Sequence, residues 1–125
     1  MTVPSTTDLV EHLRTTETTD LEDYQDWALS LNQYKSDDLT STLLWMGNEL
    51  GGEVGELQEI FAKNTRKFGE IDIDEYRIIE GMQDELGDIV FWVASICERV
   101  GLSLDDVIAH NVWRINKRLA DAQNK

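Results

Sequence analysis

Two long segments without proline carry apolar residues at every third or fourth position, and this repeat restricts the fold more than any other feature. The only proline of the 125 residues is Pro4. A repeat of this period places apolar side chains on one face of an α-helix. It predicts helices from Asp38 to about Asn64 and from about Glu75 to Val100. No segment alternates between apolar and polar residues for long enough to predict a strand.

Two shorter helices are predicted at the two ends of this region. Thr19 and Glu22 have the spacing of a capping box, which predicts a helix from there to about Tyr34. Gly101 stands where a glycine commonly ends a helix, and Ser103 where a serine caps the next one. We therefore expect an all-α fold, a helical bundle of four main helices. Because such a core is thin, we expect oligomerisation to complete it, as a homodimer or homotetramer.

The composition divides the chain into two parts. Residues 1–19 are rich in threonine and are predicted to form a flexible N-terminal tail, whereas residues 20–125 have the length of one domain. Cys97 is the only cysteine, which excludes an intramolecular disulfide and a multi-cysteine zinc site. No apolar run approaches the roughly 18 residues of a membrane span. We expect a cytoplasmic protein with no membrane partner.

The net charge of −14, from 11 basic and 25 acidic residues, restricts the ligands. This charge argues against a surface built to release counterions from nucleic acid, so we expect no nucleic-acid polymer as a partner. A smaller polyanion would need a local device, either a bound metal ion or a basic patch within the acidic field.

Two pairs of acidic residues lie beside the apolar faces of the long predicted helices. At about 100° per residue, Glu53 and Glu56 fall within about 60° of each other on one helix. Glu85 and Asp88 have the same relation on the other helix. If the apolar faces pack together antiparallel, these four carboxylates can converge at one margin of the interface.

Four neighbouring carboxylates cannot all ionise without a cation. Oxygen ligands without Cys or His favour Mg²⁺, Mn²⁺ or Ca²⁺, of which Mg²⁺ is the default by availability and Mn²⁺ a possible substitute. Such a cation suits the attack of water on a phosphoryl group. A single acidic pair on a helix is more often a solvated face, so the prediction depends on the two pairs together.

Both acidic pairs stand in segments that resemble a known family. Gly52–Leu57 and Asp84–Ile89 look like the E-x-x-E and E-x-x-D halves of the MazG-like nucleotide pyrophosphohydrolases, in the usual order and spacing. The similarity extends through Val100–Val107 to Arg118. The resemblance implies hydrolysis of a (deoxy)nucleoside triphosphate to the monophosphate and pyrophosphate. It further implies that Mg²⁺ is held by the four acids Glu53, Glu56, Glu85 and Asp88.

The same resemblance implies a set of substrate contacts. Five residues would contact the phosphates or the metal-bound site: Lys63, Asn111, Arg114, Lys117 and Arg118. Gln25 and Trp45 could read or stack on a nucleobase, although a tryptophan at helical spacing is more often part of a core or a subunit interface.

The candidate catalytic residues are Glu49 and Glu53. Many relatives carry another glutamate immediately before the first motif acid, where this chain has Gly52. Glu49 lies one turn before Glu53 and could activate the attacking water in its place, or the metal alone could generate hydroxide. Base and sugar preference, and a role in pool control or in house-cleaning, stay open.

Other readings of the acidic residues are less consistent with the sequence. A ferritin-like di-iron site needs Glu-x-x-His pairs, which His12 and His110 do not provide. An EF-hand around Asp72 and Asp74 lacks the central glycine. The alternative that stays open is a non-catalytic helical module that binds nucleotides or regulates a partner.

Overall fold

The computed structural model describes residues 20–31 and 36–124, and in these ranges the chain is all-α, as predicted. No strand occurs in either range. The predicted tail at residues 1–19 lies outside them. The described helices are α1 (Leu21–Ser30), α2 (Leu39–Phe68), α3 (Tyr76–Val100) and α4 (Leu104–Gln123).

The first helix differs from the prediction at both ends. Asp20, not Thr19, is the N-cap, and its side chain accepts a hydrogen bond from the Asp23 amide at 2.9 Å. The helix ends at Ser30 rather than near Tyr34. The Ser30 hydroxyl donates to the Trp27 carbonyl at 2.6 Å. A serine bound in this way competes with the helical hydrogen bonds and favours an end to the helix.

The ends of the later helices agree more closely with the predicted ends. Asp38 caps α2 by accepting from the Ser41 amide, but the helix continues one turn past Asn64, to Phe68. Gly69, at φ 74°, ends it in the left-handed region that glycine tolerates best. Gly101, at φ 79°, ends α3, and Ser103 caps α4, both as predicted.

Helices α2 and α3 pack against each other as an antiparallel hairpin. The Trp45 and Trp92 rings meet edge to face with centroids 5.2 Å apart. Further along, a Cβ atom added at Gly81 would lie 3.3 Å from Cδ1 of Ile60. Residue numbers therefore rise along α2 where they fall along α3. The close approach at Gly81 explains a glycine in the middle of a helix.

A small core joins α1 and the first turn of α4 to the end of α3. Its buried members are Ala28, Ala94, Cys97 and Leu104. Several apolar residues of α2 and α3 are nevertheless exposed, among them Val54 and Leu86. Among the described residues, no helix combines the length and apolar character needed to cross a membrane.

Helix α4 packs only through its first turn. Val107 lies against the small core, but every residue from 108 to 124 is exposed. The four helices therefore do not close a compact bundle by themselves within one chain.

Candidate metal centre

The structure brings three of the four predicted acids together. Glu53 and Glu56 lie one turn apart on α2, and Glu85 faces them from α3. One carboxylate oxygen from each residue lies within 4.8 Å of the other two. The helical spacing aligns the first two, and the antiparallel hairpin supplies the third. We call these three residues the acidic cluster.

Asp88 lies beside the acidic cluster but outside its 4.8 Å group. Its side chain is exposed, one turn after Glu85 on α3. The Asp88 carboxylate is nevertheless close enough to raise the pKa of Glu53 by charge repulsion.

The neighbouring carboxylates strongly raise the pKa of Glu53. A proton shared with the Glu85 carboxylate, followed by burial and by the charges of Asp88 and Glu56, raises the pKa of Glu53 from 4.5 to about 8. For Glu85, the hydrogen bond with Glu53 lowers the pKa, but burial and the neighbouring Glu56 outweigh it and the net pKa is raised. Without a cation, the cluster therefore retains a proton near neutral pH.

Two oxygens of the acidic cluster receive no hydrogen bond from a donor group among the other described residues. Oε2 of Glu53 and Oε2 of Glu85 are both inaccessible to solvent and unpaired. Buried acceptors without a donor are unfavourable, by roughly 1–3 kcal/mol each or more when charged. A divalent cation would satisfy both oxygens and relieve the repulsion, and carboxylate oxygens are the ligands that Mg²⁺ and Mn²⁺ prefer. The residues present therefore fit such an ion.

Glu49 lies one turn before Glu53 on α2 and is half-buried. It does not belong to the acidic cluster. Its role in activating water stays a prediction.

The two residues predicted to contact a nucleobase both take part in the fold. The buried Gln25 amide donates to the Leu102 carbonyl at 2.8 Å and accepts from the Leu104 amide at 2.6 Å. These bonds attach α1 to the α3–α4 turn. Trp45 is half-buried against Trp92. For both residues, a role in base recognition stays a prediction.

The predicted phosphate contacts lie in two separate places. Lys63 is exposed on α2, on the same side as Glu56. Glu59, one turn before Lys63 on α2, pairs with Arg66 at 2.7 Å. The other four contacts lie on the exposed part of α4, where Lys117 stands 5.6 Å from the Trp113 ring centroid. These four residues are Asn111, Arg114, Lys117 and Arg118.

Sequence reasoning missed one neighbour of this centre. Burial raises the pKa of Tyr24, and the charge of Asp88 raises it further, so the Tyr24 hydroxyl of α1 lies near the acidic margin of α3. The helical spacing of Tyr24 indicated only an apolar face. No pattern within α1 could have related it to a residue 64 positions later.

Residues 41–121 match the family model of the MazG nucleotide pyrophosphohydrolase domain. The matched range contains the whole acidic cluster, Asp88, Lys63 and most of α4. No curated protein and no solved structure matches the chain.

Proposed function

The chain belongs to the family of the MazG nucleotide pyrophosphohydrolase domain, and from this membership we propose that it hydrolyses (deoxy)nucleoside triphosphates to the monophosphate and pyrophosphate. The observation that carries the proposal is the acidic cluster, with three carboxylates within 4.8 Å at the margin of the α2–α3 hairpin. Such a cluster can be fully ionised only with a cation present, and a cation bound to carboxylates in turn suits a polyphosphate ligand.

Glu53, Glu56 and Glu85 would hold the cation, with Asp88 as a fourth ligand. We take Mg²⁺ as the cation and Mn²⁺ as its substitute, since hard oxygen donors make up the whole set. When bound, the ion supplies charge neutralisation at the phosphates and a lower pKa for an attacking water. The unpaired Oε2 atoms of Glu53 and Glu85 support this assignment.

Glu49 is the residue that we propose to accept the proton of the attacking water. It lies one turn from Glu53, and Gly52 leaves no carboxylate directly before the motif. Glu53 would take part in the same step by holding the cation. Lys63 would contact the phosphates, since it lies on the same side of α2 as Glu56.

We further propose that a second copy of the chain covers α4. Its exposed apolar residues follow the four-three-four spacing of a helix-pairing seam: Ile108, Val112, Ile115 and Leu119. A continuous apolar row of this kind commonly marks a protein interface. A homodimer or homotetramer formed here would also bring Asn111, Arg114 and Arg118, which border the row, into an assembled site.

The proposal is tested by pyrophosphate release from a panel of canonical and modified (d)NTPs with Mg²⁺, Mn²⁺ or EDTA, followed by chromatography of the product. We expect metal-dependent formation of the monophosphate. Glu53→Gln should abolish turnover, whereas Glu59→Gln, on the same helix but paired with Arg66, should retain it. A preference for canonical nucleotides would favour control of pool size in the cytoplasm. A preference for modified nucleotides would favour their removal.

The alternative is a nucleotide-binding module without catalysis. A binder would be stabilised against heat by nucleotide and Mg²⁺ but would release no pyrophosphate. That combination, from folded protein, would refute the enzymatic proposal.

A further inference from the structure

A cleft of about 380 Å³ lies where α1, the end of α3 and the start of α4 meet. We call it the junction cleft. Carboxylates from all three helices line it: Glu22, Asp26, Glu98 and Asp105. At about 1.5 Å per residue, Glu98 lies about 15 Å beyond Asp88 along α3. The junction cleft is therefore separate from the metal centre.

The carboxylates of the junction cleft have no basic partner. Among residues 20–31 and 36–124, no Lys or Arg nitrogen lies within 4.0 Å of any of them. Even Arg99, which follows Glu98 directly in α3, forms no such pair. Ionised carboxylates held close together repel each other, so the closed junction is less stable when all of them are charged.

A proton on Glu98 reduces this repulsion. A hydrogen bond shared with Asp26, followed by burial and by the charges of Asp26 and Glu22, raises the pKa of Glu98 above its usual 4.5. The groups that face Glu98 from α1 and α4 are all acidic, including Asp105, and no charged group of α2 contributes to the shift. The Gln25 amide favours the ionised form, but its distance of 3.4 Å from Oε2 of Glu98 makes this bond weak.

Gln25, next to Asp26 in α1, joins the same three helices. Its buried amide donates to the Leu102 carbonyl at 2.8 Å and accepts from the Leu104 amide at 2.6 Å. Leu104 is the first residue of α4 and a member of the small core. Beyond Val107, α4 is exposed throughout its described length. A movement that separates Asp26 from Glu98 would therefore also disturb the bonds that fix the start of α4.

From this arrangement we propose that the junction cleft is a pH-dependent clasp for α4. With a proton on Glu98, its carboxyl group donates a hydrogen bond to Asp26, and α1 stays closed on the α3–α4 turn. When the proton passes to solvent, the two carboxylates repel each other, and the turn and the first turn of α4 open more often.

The direction of the pH dependence follows from the raised pKa. Closing the junction takes up a proton, because the pKa of Glu98 is raised in the closed state and returns towards 4.5 in the open state. Closure is therefore favoured most below pH 4.5 and is weakened as pH rises through the raised pKa.

The clasp would also affect the predicted substrate contacts on α4, which are Asn111, Arg114, Lys117 and Arg118. If the proposed function is correct, opening of the first turn would hold these residues less firmly relative to the acidic cluster. This consequence rests on the proposed function, whereas the clasp itself does not.

The test measures amide hydrogen exchange of the full chain at pH 5, 6 and 7, with each rate divided by the intrinsic rate at that pH. The Leu104 amide is the reporter, because its acceptor is Gln25. Its protection in the wild type should fall by about threefold to fivefold over this interval, the range for one solvent-screened hydrogen bond. Glu98→Gln should keep high protection at every pH, because its amide donates to Asp26 without titrating. Glu70→Gln is the matched control, since it removes one exposed charge outside the junction cleft and should follow the wild type.

A second substitution makes the opposite prediction at the same position. Glu98→Ala removes the donor altogether, so protection of the Leu104 amide should be low at every pH. If this variant does not fold, the comparison of the wild type with Glu98→Gln decides the question by itself.

Three results would overturn the proposal: constant protection of Leu104 in the wild type, a Glu98→Gln profile that follows the wild type, or an equal loss of protection throughout the α2–α3 hairpin. The last result would assign the change to the acidic cluster. Hydrogen exchange requires no turnover. If the Leu104 amide responds as expected but no triphosphate is hydrolysed, the clasp stands and the proposed function fails. If triphosphates are hydrolysed but the amide does not respond, the function stands and the clasp fails.

Discussion

Replacing Glu53 by glutamine should stabilise the metal-free protein above neutral pH. In the folded chain the pKa of Glu53 is raised from 4.5 to about 8, chiefly by the proton shared with Glu85. Between these pH values the folded state therefore binds more protons than the unfolded state. Stability falls wherever the folded state holds the extra proton and pH increases. The wild type should thus lose stability as pH rises from about 4.5 to about 8.

The size of the effect has an upper limit set by the pKa difference. The interval from 4.5 to about 8 corresponds to roughly 5 kcal/mol at about 1.4 kcal/mol per pH unit. The proton is shared between two carboxylates, and the neighbouring Glu56 and Asp88 are exposed to water. Solvent screening reduces such interactions, so we expect about 1–3 kcal/mol.

Urea denaturation in EDTA at pH 5 and pH 8 measures this difference. The free energy of unfolding of the wild type should decrease relative to that of Glu53→Gln by about 1–3 kcal/mol over this interval. Mg²⁺ should restore the wild type but have little effect on the variant. Glu59→Gln, an exposed glutamate of the same helix, should follow the wild type. Parallel pH profiles for wild type and Glu53→Gln would refute the electrostatic argument.

Three further substitutions test the fold. Gln25→Leu should lower the free energy of unfolding by about 2–4 kcal/mol in urea, because the Leu102 carbonyl and the Leu104 amide lose their buried partner. Gly69→Ala should lower it by about 1 kcal/mol, because alanine is strained at φ 74°. Ile115→Glu should reduce the assembly to monomers in analytical ultracentrifugation, because it places a charge in the apolar row of α4.

Two of these substitutions have a matched control. Gly47→Ala, in the interior of α2 with open space around it, should stabilise by up to about 1 kcal/mol. His110→Glu, on another face of α4, should leave the assembly unchanged. A loss below about 0.5 kcal/mol for Gln25→Leu would mean that its hydrogen bonds do not fix the α3–α4 turn. If the wild-type protein is a monomer, the proposal that a second copy covers α4 is wrong.

The sequence was sufficient to predict the helices and the position of the acids on them. Gly101 and Ser103 predicted their helix ends correctly, because each acts through bonds within a few residues. The angular relation of Glu53 to Glu56 follows from the helical period alone. Their approach to Glu85 required only that two apolar faces pack antiparallel.

Features that depend on distant partners could not be predicted. Gln25 binds backbone atoms 77 and 79 positions later, which no local pattern indicates. Ser30 ended α1 early through a bond to Trp27 that competes with an otherwise favourable helical repeat.

The thin core and the acidic cluster have connected consequences for stability. Repulsion among the carboxylates should reduce the stability of the metal-free chain by about 1–3 kcal/mol above neutral pH. This is a sizeable part of the roughly 5–15 kcal/mol typical of a domain. The core that opposes this repulsion is small, and α4 adds little to it beyond its first turn. A cation at the cluster and a second copy on α4 would each stabilise the folded state by mass action. Since both act on the same folded state, the two are linked wherever the metal-free monomer is partly unfolded. Under such conditions, removal of the metal should weaken the oligomer even though no α4 residue belongs to the acidic cluster.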